Sequence, residues 1–238
     1  MKNILYTFII ISLFSCQEFV NQKKGNGQFT TSKREVTENF TKIETSEAIA
    51  VEIEQAEKNS IEVETDSNLQ NHVKTTISNG VLKISLDKNM IVCNELIVRV
   101  KIKELNEIKS SSASSIKSNT VFKGNNINII ASSASTIDME VEYENITIEA
   151  SSTSDITLRG KTLKLETNAS SASSIDASEL MSNEILAESS SASNIKVHAI
   201  VKLDAKVESA GTIASVKKPR EFRGKEASGG EITIEKFN

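Results

Sequence analysis

Hydrophobic and polar residues alternate along most of the chain. In "TKIETSEAIAVEIEQ" (41–55), Ile49, Val51 and Ile53 fall on one side and Glu52 and Glu54 on the other. "SIEVET" (60–65) repeats the pattern. In "HVKTTISNGVLKISL" (72–86), Asn79-Gly80 separates two alternating runs. Period-two alternation marks a strand with one buried face, and Asn-Gly between two such runs is a strong hairpin signal. "NELIVRVKIKEL" (94–105) reads as a further strand built on Val98, Val100 and Ile102, with Ile97 out of register. "SNLQN" (67–71) suits a short helical turn.

From residue 111 a repeat takes over: "SSASSIKSN" (111–119), "SSASTIDME" (132–140), "SSTSDITLR" (151–159), "SSASSIDAS" (170–178) and "SSASNIKVH" (190–198). The isoleucine ending each unit recurs as Ile116, Ile137, Ile156, Ile175, Ile195, Ile213 and Ile232. Four residues earlier stand Ser112, Ser133, Ser152, Ser171, Ser191, Ser209 and Ser228. Three residues before each isoleucine the column reads Ala, Ala, Thr, Ala, Ala, Ala, Gly. A Ser-rich linker has no reason to keep such a column. A fixed period of roughly 20 residues is the mark of a solenoid. The intervening segments, "NINIIA" (126–131), "NITIEA" (145–150), "KTLKLET" (161–167) and "VKLDAKV" (201–207), alternate with period two, and helical spacing is missing. The fold expected is therefore all-β, a parallel β-helix with coils of about 19 residues, preceded by strands and a hairpin. Coils stacked at the inter-strand spacing of about 4.8 Å would make a rod roughly 30–35 Å long.

Counting back from each isoleucine, strict alternation places the residues two and four before it on its own inward face. Small residues there would let the chain turn sharply, and stacked hydroxyls could bond along the column or to the backbone. On this reading Leu at Ser171 or Ala172 overpacks the stack, at a cost of about 1–3 kcal/mol, and Leu at Asp176 is milder.

Composition agrees with a thin core. Aromatic residues are 4% of the chain, Trp is absent and there is one Pro. The apolar residues are mainly Ile, Val, Leu and Ala. At the N-terminus, Lys2 precedes the apolar run "ILYTFIIISLF" (4–14) and then "LFSC" (13–16). Eleven apolar residues are too few to span a bilayer as a helix and suit the core of a signal peptide. A small residue before Cys resembles a bacterial lipoprotein signal, in which residues 1–15 are removed and Cys16 carries lipid. Residues 16–35 then read as a flexible tether, with the domain over 36–238. The expected address is the cell envelope, as a lipoprotein of the outer membrane held by lipid on Cys16. Of the two cysteines, Cys93 lies in the apolar stretch "NMIVCNELIV" and is expected to be a buried structural thiol. The charge of −4 and the lack of a basic tract argue against nucleic acid as a partner.

Phe40, Ile43, Ser46, Ile49 and Val51 make an "F-x-x-I-x-x-S-x-x-I-x-V" start. With "NGVLKISL" and the Ser-rich coils, it resembles the head GIN domain, named for auto-transporter adhesins and common in exported and lipid-anchored proteins of the Bacteroidetes. The resemblance covers roughly 36–238. It implies a right-handed β-helix and supplies no catalytic motif. Members are typically richer in Gly where this chain uses Ser and Ala.

Candidate chemistry is sparse. The histidines, His72 and His198, are far apart, and no nucleophile-elbow, metal-ligand or phosphate-loop pattern occurs. No cofactor is expected. One carboxylate pair stands out. The column after the isoleucines reads Lys117, Asp138, Thr157, Asp176, Lys196, Ala214, Thr233. Asp138 and Asp176, two coils apart, would be roughly 9–10 Å apart at the backbone, near the carboxyl separation of an inverting glycosidase, and Asp155 could join them. A solvated column of alternating charge explains the same residues. The reading reached is a non-catalytic adhesion or interaction module with a surface protein or glycan as partner. The alternatives are an envelope structural or stress component without a ligand and, third, a polysaccharide-acting enzyme.

Overall fold

The computed structural model describes residues 22–234. Their architecture is an all-β solenoid of about seven turns of roughly 19 residues. The strands Ser115–Ala131, Thr136–Ala150, Asp155–Ala169, Ser174–Ser189 and Asn194–Val207 run parallel, each paired with the one before. The pattern "NINIIA" shows why. Ile127, Ile129 and Ala131 are buried, while Asn126 and Asn128 face outward. Ile116, Ile137, Ile156, Ile175, Ile195, Ile213 and Ile232 stack in one register. All but the last are buried; Ile232, on the final coil, is half-buried. Register shifts, as between Lys117 and Val121 or Ala177 and Met181, mark where the strands bend around the coil. At one bend Gly160 has φ +118, and a Cβ there would lie 2.1 Å from the Val141 carbonyl oxygen. Glycine alone fits that approach.

Each coil passes through a two-residue turn. Ser112-Ala113, Ser133-Ala134, Ser152-Thr153, Ser171-Ala172, Ser191-Ala192 and Ser209-Ala210 all have positive φ, as does Ser228-Gly229. The Ser114 N–H donates to the Ser111 carbonyl at 3.1 Å across the first of them. Two left-handed residues in succession make the turn type that Asn-Gly favours. An eighth turn, Glu47-Ala48, belongs to the same stack. Here the expectation from strict alternation needs correction. The serines four before each isoleucine do not point inward; they and their small neighbours are exposed at the turn. Alternation holds only for extended backbone, and these two positions are left-handed. The inward serines are those two before the isoleucine: Ser114, Ser135, Ser154, Ser173 and Ser193, all buried.

These five serines tie coil to coil. The hydroxyls of Ser135, Ser154, Ser173 and Ser193 donate to the carbonyls of Ser110, Ala131, Ala150 and Ala169 on the preceding coil, at 2.8–2.9 Å. Each also accepts the N–H three residues before it. In the last two coils the position is Gly211 and Gly230. A Cβ at Gly230 would meet Val207 Cγ1 at 2.5 Å, and one at Gly211 would meet Ser189 Oγ at 2.7 Å.

The N-terminal end is closed differently. Lys42–Thr45 and Ala50–Gln55 lie under the first long coil. Ile97–Ile102 runs parallel beneath Ala50–Gln55, Ser60–Asp66 pairs antiparallel with it, and Phe29–Arg34 pairs antiparallel with Ser60–Asp66. The hairpin Val73–Ser78 and Val81–Leu86 turns through Asn79-Gly80, both at positive φ, and the short helical turn falls at Gln70–His72.

Two expectations fail in this region. The segment read as a flexible tether over 16–35 contains strands at Lys23–Lys24 and Phe29–Arg34. Phe29–Arg34 completes the edge of Ser60–Asp66 through backbone bonds, with its side chains mostly exposed, so no apolar alternation announced it. Cys93 is exposed, not buried. It lies in the loop between the two-residue strand Met90–Ile91 and Ile97, where its thiol donates to the Gly25 carbonyl at 3.0 Å. Residues 1–15 and Cys16 lie outside the described residues. No helix among the described residues is long and apolar enough to cross a membrane.

Candidate functional site

The outward residues of the coils make the candidate site. Because Asn126 pairs with Asn145 and Asn128 with Thr147, their side chains form two adjacent columns on one wall. Beside them the corner Glu104–Asn106 projects, and the two enclose an open groove of about 750 Å³. Lys123, Asn125 and Thr147 complete its polar lining. The Asn145 amide donates to Asn126 Oδ1 at 2.9 Å, so the amides order one another. Asn128 Oδ1 is shielded and has no partner. Its amide nitrogen bonds Glu107. Burial alone would raise the Glu107 pKa, but Lys109, Lys42 and that amide outweigh it and hold the carboxyl below its ordinary value. The floor is rigid. Tyr143, buried beside Gly124, donates its hydroxyl to the Leu105 carbonyl at 2.8 Å, and burial pushes its pKa far up. Such a groove offers amide donors and acceptors and little net charge. It suits hydroxyl-rich or peptide-like ligands and contains no obvious nucleophile.

The adjoining corner is more apolar. Leu163 and Met181 are about half exposed, and with Ile200 they line a second depression of about 450 Å³. Lys123 first and Lys161 with it hold Glu142 ionised at its edge.

The carboxylates singled out by sequence lie on another column. Asp138, Thr157 and Asp176 are in register on three successive coils. Arg159 reaches back to Asp138, at 2.5 and 3.3 Å, and its pKa is raised by that bond. Asp176 accepts from the Ser178 hydroxyl and N–H at 2.5 and 3.0 Å. Asp155 is exposed at the start of its strand. The structure thus gives each of the pair its own neighbour. His72 and His198 are not brought together. His72 instead lies between Asp87, at 2.7 Å, and Lys23, at 2.8 Å. The asparagine groove escaped the sequence reading because Glu104 and Asn106 reach it from outside the repeat; only the recurrent Asn126, Asn128 and Asn145 hinted at it.

The sequence model of the family described as "Putative auto-transporter adhesin, head GIN domain" matches residues 39–219. The chain belongs to this family. Solved structures repeat its fold. A "putative adhesin" from Bacteroides fragilis superposes with a TM-score of 0.83 at 17% identity, over 89% of this chain and 99% of that one. A "putative lipid binding protein" from Parabacteroides distasonis gives 0.76 at 19% identity, over 91% and 100%. A "putative adhesin" from Parabacteroides merdae gives 0.75 at 23% identity, over 91% and 100%. No curated protein matches. Family and fold together support an adhesion-like module of the envelope or cell exterior.

Proposed function

We propose that this head GIN protein is a non-catalytic adhesion module, held to the envelope by lipid on Cys16, whose asparagine groove receives a surface glycan or an extended peptide. The observation that carries the reading is the rigid wall of Asn126, Asn128 and Asn145 facing a groove of about 750 Å³. Its amides are preorganised by the coil ladder, so binding costs little ordering of side chains. The engagement of Asp138 by Arg159 and of Asp176 by Ser178 gives the glycosidase reading less support than the groove gives binding.

Three experiments test this. Protease shaving of intact cells, with a periplasmic control, reports whether the rod is outside. Loss of the chain supports adhesion, and survival favours the envelope-structural alternative. Adhesion of cells, or capture of glycans on an array, should fall at least tenfold in Asn128→Ala/Asn145→Ala. Unchanged binding sinks the groove. Cys16→Ser should release the chain from membranes, and retention overturns the lipid anchor.

A further inference from the structure

The two ends of the rod differ. Antiparallel strands cover the stack at the N-terminal end. At the other end Glu221–Glu226 pairs with Lys202–Val207, and Glu231–Ile234 with Thr212–Ser215. Among the described residues nothing pairs with their outer edges. Phe222 stands in the inward column above Leu203, yet it is 44% exposed, because among the described residues no further coil covers it. Its ring lies across Gly224: a Cβ there would meet Phe222 Cζ at 2.7 Å and Ile232 Cδ1 at 3.2 Å. An aromatic ring therefore caps the open core.

Cations surround it. Between 217 and 225 stand Lys217, Lys218, Arg220, Arg223 and Lys225 against Glu221 alone, a net of +4 on a chain of net −4. Among the described residues none of the five lies within ion-pair distance of a carboxylate; on the side walls Lys123, Arg159, Lys161, Lys202 and Lys206 are paired, and the unpaired Lys117, Lys164 and Lys196 stand singly on separate strands. Lys225 even stands in register over Lys206.

A second copy docking through the same end would oppose two such patches. Glu226 also occupies the inward column above Val207, and an inward carboxylate discourages strand addition. The partner is therefore anionic. The cations are spread along a strand and the corner before it, with an apolar ring among them. That arrangement fits an extended surface better than a discrete ligand.

We propose that the C-terminal end of the rod docks on an anionic lipid surface. Phe222 enters the boundary between headgroups and acyl chains, and the five cations meet lipid phosphates. This does not rest on the groove or on the adhesion reading.

The test uses the chain from Gln17 onward, which keeps every strand and core residue of the described rod. It is sedimented with vesicles of phosphatidylcholine alone or mixed with phosphatidylglycerol. Binding should require phosphatidylglycerol and weaken with salt. Lys218→Glu/Arg223→Glu/Lys225→Glu should lower partitioning roughly a hundredfold, while Lys117→Glu/Lys164→Glu/Lys196→Glu on the side walls should keep most of it. The sequence lacks Trp, so Phe222→Trp reports alone, and its emission should shift to the blue on the mixed vesicles. Absence of binding to the mixed vesicles, or an equal loss in the side-wall variant, overturns the proposal. So does binding without the blue shift that soluble polygalacturonate abolishes, which would assign the end to an acidic glycan. Should the first triple variant lose its circular dichroism, the Phe222→Trp shift and its salt dependence decide.

Discussion

The Ser173 hydroxyl donates to the carbonyl oxygen of Ala150 at 2.9 Å, across the gap between consecutive coils. The Ser170 N–H reaches the same oxygen at 3.0 Å. The carbonyl is thus bonded twice, and Ser173→Ala removes this bond and the 3.2 Å one from the Ser170 N–H, which keeps the Ala150 carbonyl, so no buried donor or acceptor is stranded. A loss of about 1 kcal/mol is expected. Ser173→Val also adds bulk in a closed column and should cost about 1–3 kcal/mol beyond it. Urea unfolding of both variants measures the order.

The exposed turns predict the reverse of overpacking. Ala172 has φ +59 and Thr153 φ +63. A left-handed L-residue costs roughly 1–2 kcal/mol, and glycine gives back about 0.5–1 kcal/mol in entropy. Ala172→Gly should therefore raise stability by about 0.5–1 kcal/mol. Thr153→Gly should gain more, because a β-branched residue tolerates this region least. Ala172→Leu should be nearly neutral and Ala172→Val destabilising. Thermal midpoints that fall in both glycine variants would refute this account of the turn.

Acid should loosen the N-terminal end first. Burial pushes the Asp66 pKa up, but the N–H groups of Cys93 and Gly27 and the Asn94 amide outweigh it, and the net shift is downward. Lys74 and then His72 hold Asp87 down. A carboxyl lowered by folding contributes stability above its unfolded value of about 4, and that contribution is lost as pH falls through the lower folded value. The protection of the Gly27 and Cys93 amides, relative to their free exchange rate at the same pH, should fall below about pH 4 before the coils open. In Asp66→Asn that protection should be low already at neutral pH.

Tyr143 gives an alkaline counterpart. Its pKa is raised by burial. The stability it contributes is present below the unfolded value of about 10 and lost as pH rises beyond it. The other tyrosine, Tyr6, lies in the expected leader. In the chain from Gln17 onward, tyrosinate absorbance should therefore appear only with unfolding. Tyr143→Phe leaves the Leu105 carbonyl without this donor and should cost about 1–2 kcal/mol. A smooth titration near pH 10 in the folded protein would contradict the buried hydroxyl.

Much of the solenoid was legible because its signal is repetition. Once one coil's period is known, every later coil is placed, and Asn79-Gly80 marks its hairpin by backbone preference alone. The turn conformation was not legible. Ser-Ala carries no sign of positive φ, so alternation was continued through residues that are not extended. The strand Phe29–Arg34 was hidden because an edge strand with exposed side chains needs only its backbone. Cys93 was misread because an apolar run was taken as a sign of burial, whereas here it spans an exposed loop. The groove depends on Asn106 meeting Asn128, two residues in different elements that no periodicity relates.

The turns are also bonded to one another. The Ala172 N–H donates to the Ser191 carbonyl at 3.0 Å and the Ala192 N–H to that of Ser209 at 3.0 Å, so the ladder does not break at the corners. A load along the rod axis pulls along all of these bonds together, whereas peeling from one end breaks them a coil at a time. A protein stretched from its last coil should therefore lengthen in even steps, each releasing about 19 residues or roughly 65 Å of chain. Held between two surfaces, such a rod would behave as a ratcheting shock absorber.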